Sequence, residues 1–220
     1  MRTNRLFLAL GVGLSLLLVA CGGQTGNTGG GVSGPGSTWT PRTSNTNQHL
    51  YGVTYGNGTF VAVGGFAPFS NEFPSSILTS PNGENWTPLY SGTTQPLFGV
   101  AYGNNTFVAV GGSNEGGTIT ILTWNGQNWD AQTLVTTQPL YGVTYGNGTF
   151  VAVGVGGTIL TSPDGVNWTA QNSGTNNHLR GVTYGNGTFV AVGLGGTILT
   201  SPFPRVKSRP GLPLFRSDRL

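Results

Sequence analysis

Residues 141–168 read YGVTYGNGTFVAVGVGGTILTSPDGVNW, and this stretch is the clearest copy of a unit that recurs along the chain. The copies begin at Tyr51, Phe98, Tyr141 and Arg180. Their second tyrosines are Tyr55, Tyr102, Tyr145 and Tyr184, at intervals of 47, 43 and 39 residues. A tryptophan precedes each of these tyrosines by sixteen residues, and a phenylalanine follows each by five. A period near 40 residues indicates an array of stacked supersecondary units.

Turn-forming pairs divide each copy into four short strands. In the clearest copy, the pair Asn147-Gly148 joins a first strand over 141–145 to a second over 149–153, because this pair is typical of two-residue hairpins. Gly156-Gly157 precedes a third strand over 158–162, and Pro163-Asp164-Gly165 precedes a fourth around Trp168. Each unit is therefore predicted to be a four-stranded antiparallel sheet.

The pattern inside the strands favours sheets that are packed on both faces. The run Phe-Val-Ala-Val is apolar on both faces, as expected for a sheet between two neighbours. Glycine at the second position of every first strand suits a crowded inner strand. These glycines are Gly52, Gly99, Gly142 and Gly181. We predict an all-β fold, a β-propeller of four-stranded antiparallel blades over residues 39–202.

Two interpretations of the ends of the array stay open. Trp39 keeps the sixteen-residue spacing but has no preceding strands, so its strand either completes the last blade and closes a ring of four, or belongs to a truncated larger propeller. After Pro202 the repeat is lost, and residues 203–220 hold five of the nine basic residues of the chain. This tail is interpreted either as a replaced or out-of-frame terminus of a once longer propeller or, as a third alternative, as a functional polybasic tail.

The first 21 residues have the pattern of an export signal. Arg2 and Arg5 precede an apolar run over 6–20, which is short for a membrane span. The run ends in Leu18-Val19-Ala20-Cys21, which resembles the bacterial lipobox, and this resemblance implies that Cys21 is lipidated. Residues 22–38 are a Gly-rich flexible tether. We expect a lipid-anchored protein of the bacterial cell envelope, exposed outside the cytoplasm.

The charge distribution excludes a nucleic-acid-binding domain. The net charge of the chain is +3, but residues 39–202 contain two arginines, no lysine and five acids. A nucleic-acid interface needs clustered basic residues on the folded surface. With one cysteine in the chain, an intrachain disulfide is impossible.

The turn between the third and fourth strands resembles the Asp-box repeat of sialidase-like propellers and repeats of the photosystem II assembly factor family. The resemblance is carried by residues 156–168, with partial copies at 80–86 and 123–129. In that family the box is a structural turn, which implies structural roles for Asn82, Asn125 and Asp164. Turn chemistry agrees, because an Asx side chain bonds the turn backbone and glycine takes the positive-φ position.

Enzymatic activity is not indicated. A sialidase needs several arginines to bind the substrate carboxylate, and the repeats contain only Arg42 and Arg180. A glycosidase needs two facing carboxylates, and no such pair is indicated. We predict a protein without catalytic residues, cofactor or metal; the alternatives are a glycan-processing enzyme of sialidase-like fold and a truncated, non-functional copy.

Several residues are candidates for ligand binding. His49 and His178 take the places that Pro96 and Pro139 occupy in the other copies, and we interpret them as solvated loop residues without further metal ligands. Arg180 replaces an aromatic residue, either as an anion-binding group or as a tolerated change at the rim.

The loop between the second and third strands varies most in length, and its longest copy contains Phe66, Phe69 and Phe73. These rings either form a binding surface or fold over their own blade. We predict a non-catalytic propeller that binds an unidentified protein or glycan on the face of this loop.

Overall fold

The computed structural model describes residues 36–65, 75–113, 118–132 and 136–202. The predicted signal peptide, most of the tether and the basic tail lie outside these residues. Residues 1–40 and 41–220 form two separate units. In the first unit the described residues, 36–40, are turn, bend and irregular backbone, and every strand found in the described part of the chain belongs to the second unit.

The strands form four antiparallel sheets, each in chain order, which confirms the predicted all-β fold. The first sheet contains β1 (Leu50–Gly56), β2 (Thr59–Gly65), β3 (Ser75–Ser80) and β4 (Thr87–Leu89). The second contains β5 (Leu97–Gly103), β6 (Thr106–Ser113), β7 (Thr118–Trp124) and β8 (Trp129–Ala131). The third contains β9 (Leu140–Gly146), β10 (Thr149–Gly154), β11 (Ile159–Ser162) and β12 (Thr169–Gln171). The fourth contains β13 (Leu179–Gly185), β14 (Thr188–Gly193) and β15 (Ile198–Pro202).

The hairpins between first and second strands have the predicted geometry. Asn147 and Gly148 have φ values of 46° and 78°, the left-handed conformation that a type I′ turn requires at both central residues. In the second sheet the pair is Asn104-Asn105, with φ values of 45° and 59°. Asparagine tolerates this conformation, so the hairpin forms without the glycine.

Two predicted strand boundaries are shifted. The third strand of the clearest copy starts at Ile159 rather than at residue 158, because Val155–Gly157 form a 3₁₀ turn in which Gly156 and Gly157 both have positive φ. The fourth strand starts at Thr169, after Trp168 rather than around it. The tryptophan belongs to the turn and packs into the core.

Three apolar clusters lie between successive sheets and hold the array together. The cluster between the first and second sheets contains Val63, Ile77, Phe107 and Trp129, and the next one contains Val108, Leu140, Phe150 and Trp168. The cluster between the third and fourth sheets contains Val151, Val153, Leu179, Phe189 and Ala191, without a tryptophan. Each inner sheet therefore buries both of its faces, as predicted.

The first strands of successive sheets pack side by side, β1 on β5, β5 on β9 and β9 on β13. A Cβ atom at Gly52 would lie 3.1 Å from the carbonyl oxygen of Phe98, and one at Gly99 would lie 3.2 Å from that of Tyr141. These distances are tighter than ordinary van der Waals contact. Glycine at this position therefore allows the inner strands to approach, as the sequence predicts.

Among the described residues, no sheet covers the outer face of the first or of the fourth sheet. The fourth sheet has three strands within the described residues, and Trp39 belongs to no strand and is 89% exposed. At one end Tyr55 of the first sheet is 56% exposed, and at the other end Ile198 of the fourth sheet is 68% exposed. Within the described residues no strand pairs with the outer edge of β15, and the closed ring and the truncated larger propeller both stay predictions.

Candidate functional site

Four equivalent residues of the inner strands stack on one another. The ring centroids of Tyr51 and Phe98 are 5.4 Å apart, and those of Phe98 and Tyr141 are 5.5 Å apart, with tilted planes. The guanidinium carbon of Arg180 lies 4.2 Å from the centre of the Tyr141 ring, which is cation–π geometry. We call these four residues the aromatic ladder. The ladder results from the close packing of β1, β5, β9 and β13, which brings the second residue of each strand beside the second residue of the neighbouring strand.

The aromatic ladder is open to solvent. Tyr51 is 47% exposed, Phe98 and Tyr141 are half-buried, and Arg180 is exposed. Aromatic rings at these positions are not needed to fill any of the three core clusters. A row of rings with one cation at its end is suited to stacking on planar or apolar groups and to pairing with an anion.

The two candidate histidines lie next to the ladder, at opposite ends of the array. The His49 ring is 6.2 Å from the Tyr51 ring, and the His49 carbonyl accepts a hydrogen bond from Gly65 at 2.9 Å. The His178 carbonyl accepts one from Leu194 at 2.9 Å, and Nδ1 of His178 is buried without a hydrogen-bond partner among the described residues.

The backbone role of these positions does not depend on histidine. The Pro96 and Pro139 carbonyls accept equivalent bonds from Gly112 and Val155. Within the described ranges, no three His, Cys, Asp or Glu side chains come together as a metal site would require. The structure therefore places His49 and His178 apart and brings Arg180 onto Tyr141.

The loop with Phe66, Phe69 and Phe73 lies outside the described residues. Gly65 directly precedes this loop, and its hydrogen bond to His49 places the start of the loop at the Tyr51 end of the ladder. A role of the three phenylalanines in binding stays a prediction.

The three Asx turns lie at the other end of the strands from the aromatic ladder. Asp164 Oδ1 accepts hydrogen bonds from the backbone of Val166 at 2.9 Å and of Asn167 at 2.8 Å, and from the Ser162 hydroxyl at 2.9 Å. Trp168 Nε1 donates to the Gly165 carbonyl at 2.9 Å, and Gly165 has a φ of 78°. This is the chemistry of a structural turn.

The other two turns use asparagine in the same way. Asn82 Oδ1 accepts from the backbone of Glu84 at 3.0 Å, and Asn125 Oδ1 accepts from that of Asn128 at 2.7 Å. The third turn also contacts the second sheet, because the Thr123 hydroxyl donates to the Gly165 carbonyl at 2.6 Å. All three turns therefore stabilise their own sheets, and the third also stabilises the packing of its sheet on the second.

The electrostatics of Asp164 agree with this role. Burial opposes ionisation, but hydrogen bonds from Asn167, Val166 and Ser162 outweigh it and hold the pKa of the carboxyl well below its usual range. Asp164 is therefore a permanently charged acceptor at neutral pH, and a general acid would need the opposite shift.

The sequence pattern did not reveal the aromatic ladder. The repeat starts at Tyr51, Phe98, Tyr141 and Arg180, so the equivalence of the positions was visible, but the stacking depends on the distance between strands. The signal was the neighbouring glycine, which predicts the close approach that makes the stacking possible.

No helix in the described part of the chain has the length and apolar character that a membrane crossing requires.

Comparison with known proteins identifies the fold. No family model matches the chain, and no curated protein matches it. Among solved structures, YCF48 from Cyanidioschyzon merolae is similar with a TM-score of 0.54 and 18% identity, over 72% of this chain and 56% of that chain. YCF48 bound to D1 peptide is similar with a TM-score of 0.55 and 18% identity, over 73% and 52% of the two chains. Streptogramin B lyase is similar with a TM-score of 0.50 and 14% identity, over 70% and 55%.

These similarities establish a β-propeller fold. This chain spans little more than half the length of each of these three proteins. Since a lyase and a peptide-bound protein share the fold, the fold alone does not determine the activity.

Proposed function

We propose that this chain is a non-catalytic binding protein that holds a peptide segment of a partner on the aromatic ladder. The observation that carries the proposal is the stack of Tyr51, Phe98, Tyr141 and Arg180, which is solvent-accessible and not required by the core. Aromatic residues and arginine are the side chains that most often dominate binding energy at protein interfaces.

A peptide fits the chemistry of the ladder better than a nucleic acid or a metal. The rings offer apolar stacking surfaces about 5.5 Å apart, and Arg180 adds a donor for a carboxylate or backbone carbonyl. The peptide-bound structure of YCF48 supports this choice, since a propeller of similar fold binds a peptide. A glycan is the alternative ligand, because sugar rings also stack on aromatic side chains.

The acids in the described residues support a non-catalytic role. They are Glu84, Asp130 and Asp164. Glu84 pairs with Arg42 at 2.7 Å, Asp130 accepts a hydrogen bond from Asn125 at 2.7 Å, and Asp164 bonds its own turn. All three are near the Asx turns, away from the ladder. A glycosidase would need two carboxylates that face one another across a substrate.

We further propose that the protein is anchored in the bacterial cell envelope through a lipid on Cys21. The arginines at positions 2 and 5, the apolar run and the Leu18-Val19-Ala20-Cys21 motif support this. A Cys21→Ser substitution is expected to leave the protein unlipidated and to release it from the membrane fraction, as judged by intact mass and fractionation. Unchanged mass and membrane retention would contradict the anchor.

Arrays of envelope-protein peptides and of glycans provide the direct test of the binding proposal. We expect binding to peptides and at least a tenfold loss of affinity for Phe98→Ser, which removes the middle ring of the ladder. The control is Tyr90→Ser, because Tyr90 is 80% exposed and lies outside the ladder. Melting temperatures are measured for both variants, so that a folding defect is recognised.

The outcomes separate the alternatives. Binding to glycans instead of peptides would replace the proposed ligand class. Equal binding by wild type and a folded Phe98→Ser protein would exclude the ladder as the site.

A further inference from the structure

Successive sheets interlock through a tyrosine and a glycine at the end of the inner strands. A Cβ atom at Gly56 would overlap the ring of Tyr102 of the next sheet. The same overlap relates Gly103 to the Tyr145 ring and Gly146 to the Tyr184 ring. Each tyrosine ring therefore occupies a socket that glycine leaves on the preceding sheet, and the socket recurs at all three junctions.

Among the described residues, the glycine socket of the fourth sheet is empty, and the equivalent tyrosine of the first sheet occupies no socket. A Cβ atom at Gly185 of the fourth sheet would meet no described atom within 4 Å. At the opposite end Tyr55, the equivalent tyrosine of the first sheet, is 56% exposed. Gly181 is open in the same way, since its Cβ would meet only the Val192 side chain, whereas Gly52, Gly99 and Gly142 each face the next inner strand.

Within the described residues, the fourth sheet also has no outer strand and no tryptophan. In the first two clusters a tryptophan packs between the sheets: Trp129, the first residue of β8, and Trp168, directly before β12. Between the third and fourth sheets there is instead an apolar groove of about 510 Å³, lined by Val151, Ile159, Phe189 and Leu199 among others. The groove between the first two sheets, which Trp129 lines, is about 370 Å³.

The segment before β1 has the sequence of a tryptophan and fourth strand, which the described residues of the fourth sheet do not contain. Trp39-Thr40-Pro41 repeats Trp86-Thr87-Pro88, and residues 87–89 form the fourth strand of the first sheet. Arg42 is held against the first sheet by its 2.7 Å ion pair with Glu84, and Asn45 donates to the Trp86 carbonyl at 3.1 Å. Residue 42 therefore lies where the outer strand of a preceding sheet would join β1.

We propose that two copies of this chain associate head to tail, with Tyr55 of each copy in the Gly185 socket of the other. Residues 40–42 of each copy then add the fourth strand to β13–β15 of the other, and Trp39 enters its groove. Two copies of four blades give eight, which is within the range of known propellers, whereas three copies would exceed it. This proposal does not depend on the proposed peptide ligand.

The two end faces are complementary because they carry the same repeat as the inner junctions. The strands β1, β2 and β13–β15 contain a single charged residue, Arg180, so like charges do not oppose contact. In the two-copy ring Arg180 meets Tyr51 of the second copy and joins the two aromatic ladders. Apolar residues such as Ile198 and Val192, which are 68% and 45% exposed in one copy, become buried.

Sedimentation velocity of the full chain in mild detergent tests the proposal over 1–100 μM protein. The expected mass is that of two chains. The decisive variant is Gly185→Leu, because its side chain has free space in a single copy and Gly185 has no positive φ, yet it fills the socket. We expect this variant to fold with a cooperative melting transition and to sediment as one chain, with a melting temperature below that of wild type only by the contribution of dimerisation.

A second pair of variants keeps the test independent of folding effects. Tyr55→Ser is expected to weaken the dimer at least tenfold, and the matched Tyr90→Ser, which changes an exposed tyrosine directly after β4 that the proposed contact does not use, is expected to leave it unchanged. A mass of one chain at every concentration would overturn the proposal. If acrylamide then failed to quench Trp39 fluorescence, the chain would be closing its own fourth sheet. Two-chain mass of Gly185→Leu would overturn it as well, since the contact would lie elsewhere.

Discussion

β10 and β14 have the same six residues, TFVAVG, but very different surroundings. In β10 Val153 is fully buried, whereas Val192, its equivalent in β14, is 45% exposed. The difference arises because the fourth sheet covers β10, while among the described residues no sheet covers the outer face of β14. The same strand thus serves as core in one place and as surface in another, and the position of a repeat in the array decides which.

The largest contrast is expected between two equivalent glycines. In Gly146→Ala the new methyl group overlaps the ring of Tyr184, which must move out of its socket. We expect the free energy of unfolding to fall by about 3 kcal/mol. Gly185→Ala, measured on the single-chain Tyr55→Ser background so that no second copy fills the socket, meets no described atom and should change stability by less than about 0.5 kcal/mol. Chemical denaturation of the two variants measures both values, and equal effects would contradict the interlocking of sheets.

A smaller contrast is expected between the two valines. Val153→Ala removes buried methyl groups and leaves a cavity, so the free energy of unfolding should fall by about 2 kcal/mol. Val192→Ala should lower it by about 0.5 kcal/mol when measured on the single-chain Gly185→Leu background. In the two-copy ring, Val192→Ala should lower the free energy of unfolding nearly as much as Val153→Ala does. A dimer whose stability Val192→Ala leaves unchanged would argue against the proposed contact.

The smallest effect is expected for substitutions in the third Asx turn, which can be compared with the asparagines of the first two turns. Asp164→Asn should cost less than about 1 kcal/mol at pH 7, because Asn82 and Asn125 accept the same backbone bonds, while Asp164→Ala should cost about 1.5–3 kcal/mol. Thermal melts of the two variants against wild type measure the difference.

Acid titration of the same variants sharpens that comparison. The folded-state pKa of Asp164 is lowered, so its stabilising contribution is complete above the ordinary aspartate pKa near 4 and is lost as the pH falls through the folded value. Wild type should therefore lose more stability than Asp164→Asn below about pH 4. Parallel pH profiles of the two proteins would show that the turn does not stabilise the carboxylate.

Local chemistry accounts for most of the features that the sequence predicts and the structure contains. The Asn-Gly hairpins, the four-stranded units and the close approach at Gly52 and Gly99 depend on residues near in sequence or on steric size, and all were predicted. The predicted start of the third strand at residue 158 was wrong by one residue, because the Gly156-Gly157 turn continues to that point. The lipid anchor at Cys21 and the binding role of Phe66, Phe69 and Phe73 stay predictions, since these residues lie outside the described ranges.

The aromatic ladder could be anticipated only in part. Arg180 was recognised as an unusual replacement for an aromatic residue, but its position 4.2 Å from the Tyr141 ring depends on the spacing of β9 and β13. Such contacts join residues 39 positions apart and arise from packing between sheets, which local patterns do not encode.

The amino-acid sequence by itself determined the repeating unit, its turns and its apolar faces, because hairpin geometry and strand alternation depend on near neighbours. Among the described residues, only the tertiary structure decided which copies of that unit are buried, that no sheet covers the outer faces of the first and fourth sheets, and that the Gly185 socket is empty while the Tyr55 ring packs on Phe60 of its own sheet. The physical reason is that the burial of a strand depends on whether another sheet packs against it. Identical residues are therefore core in one sheet and surface in another.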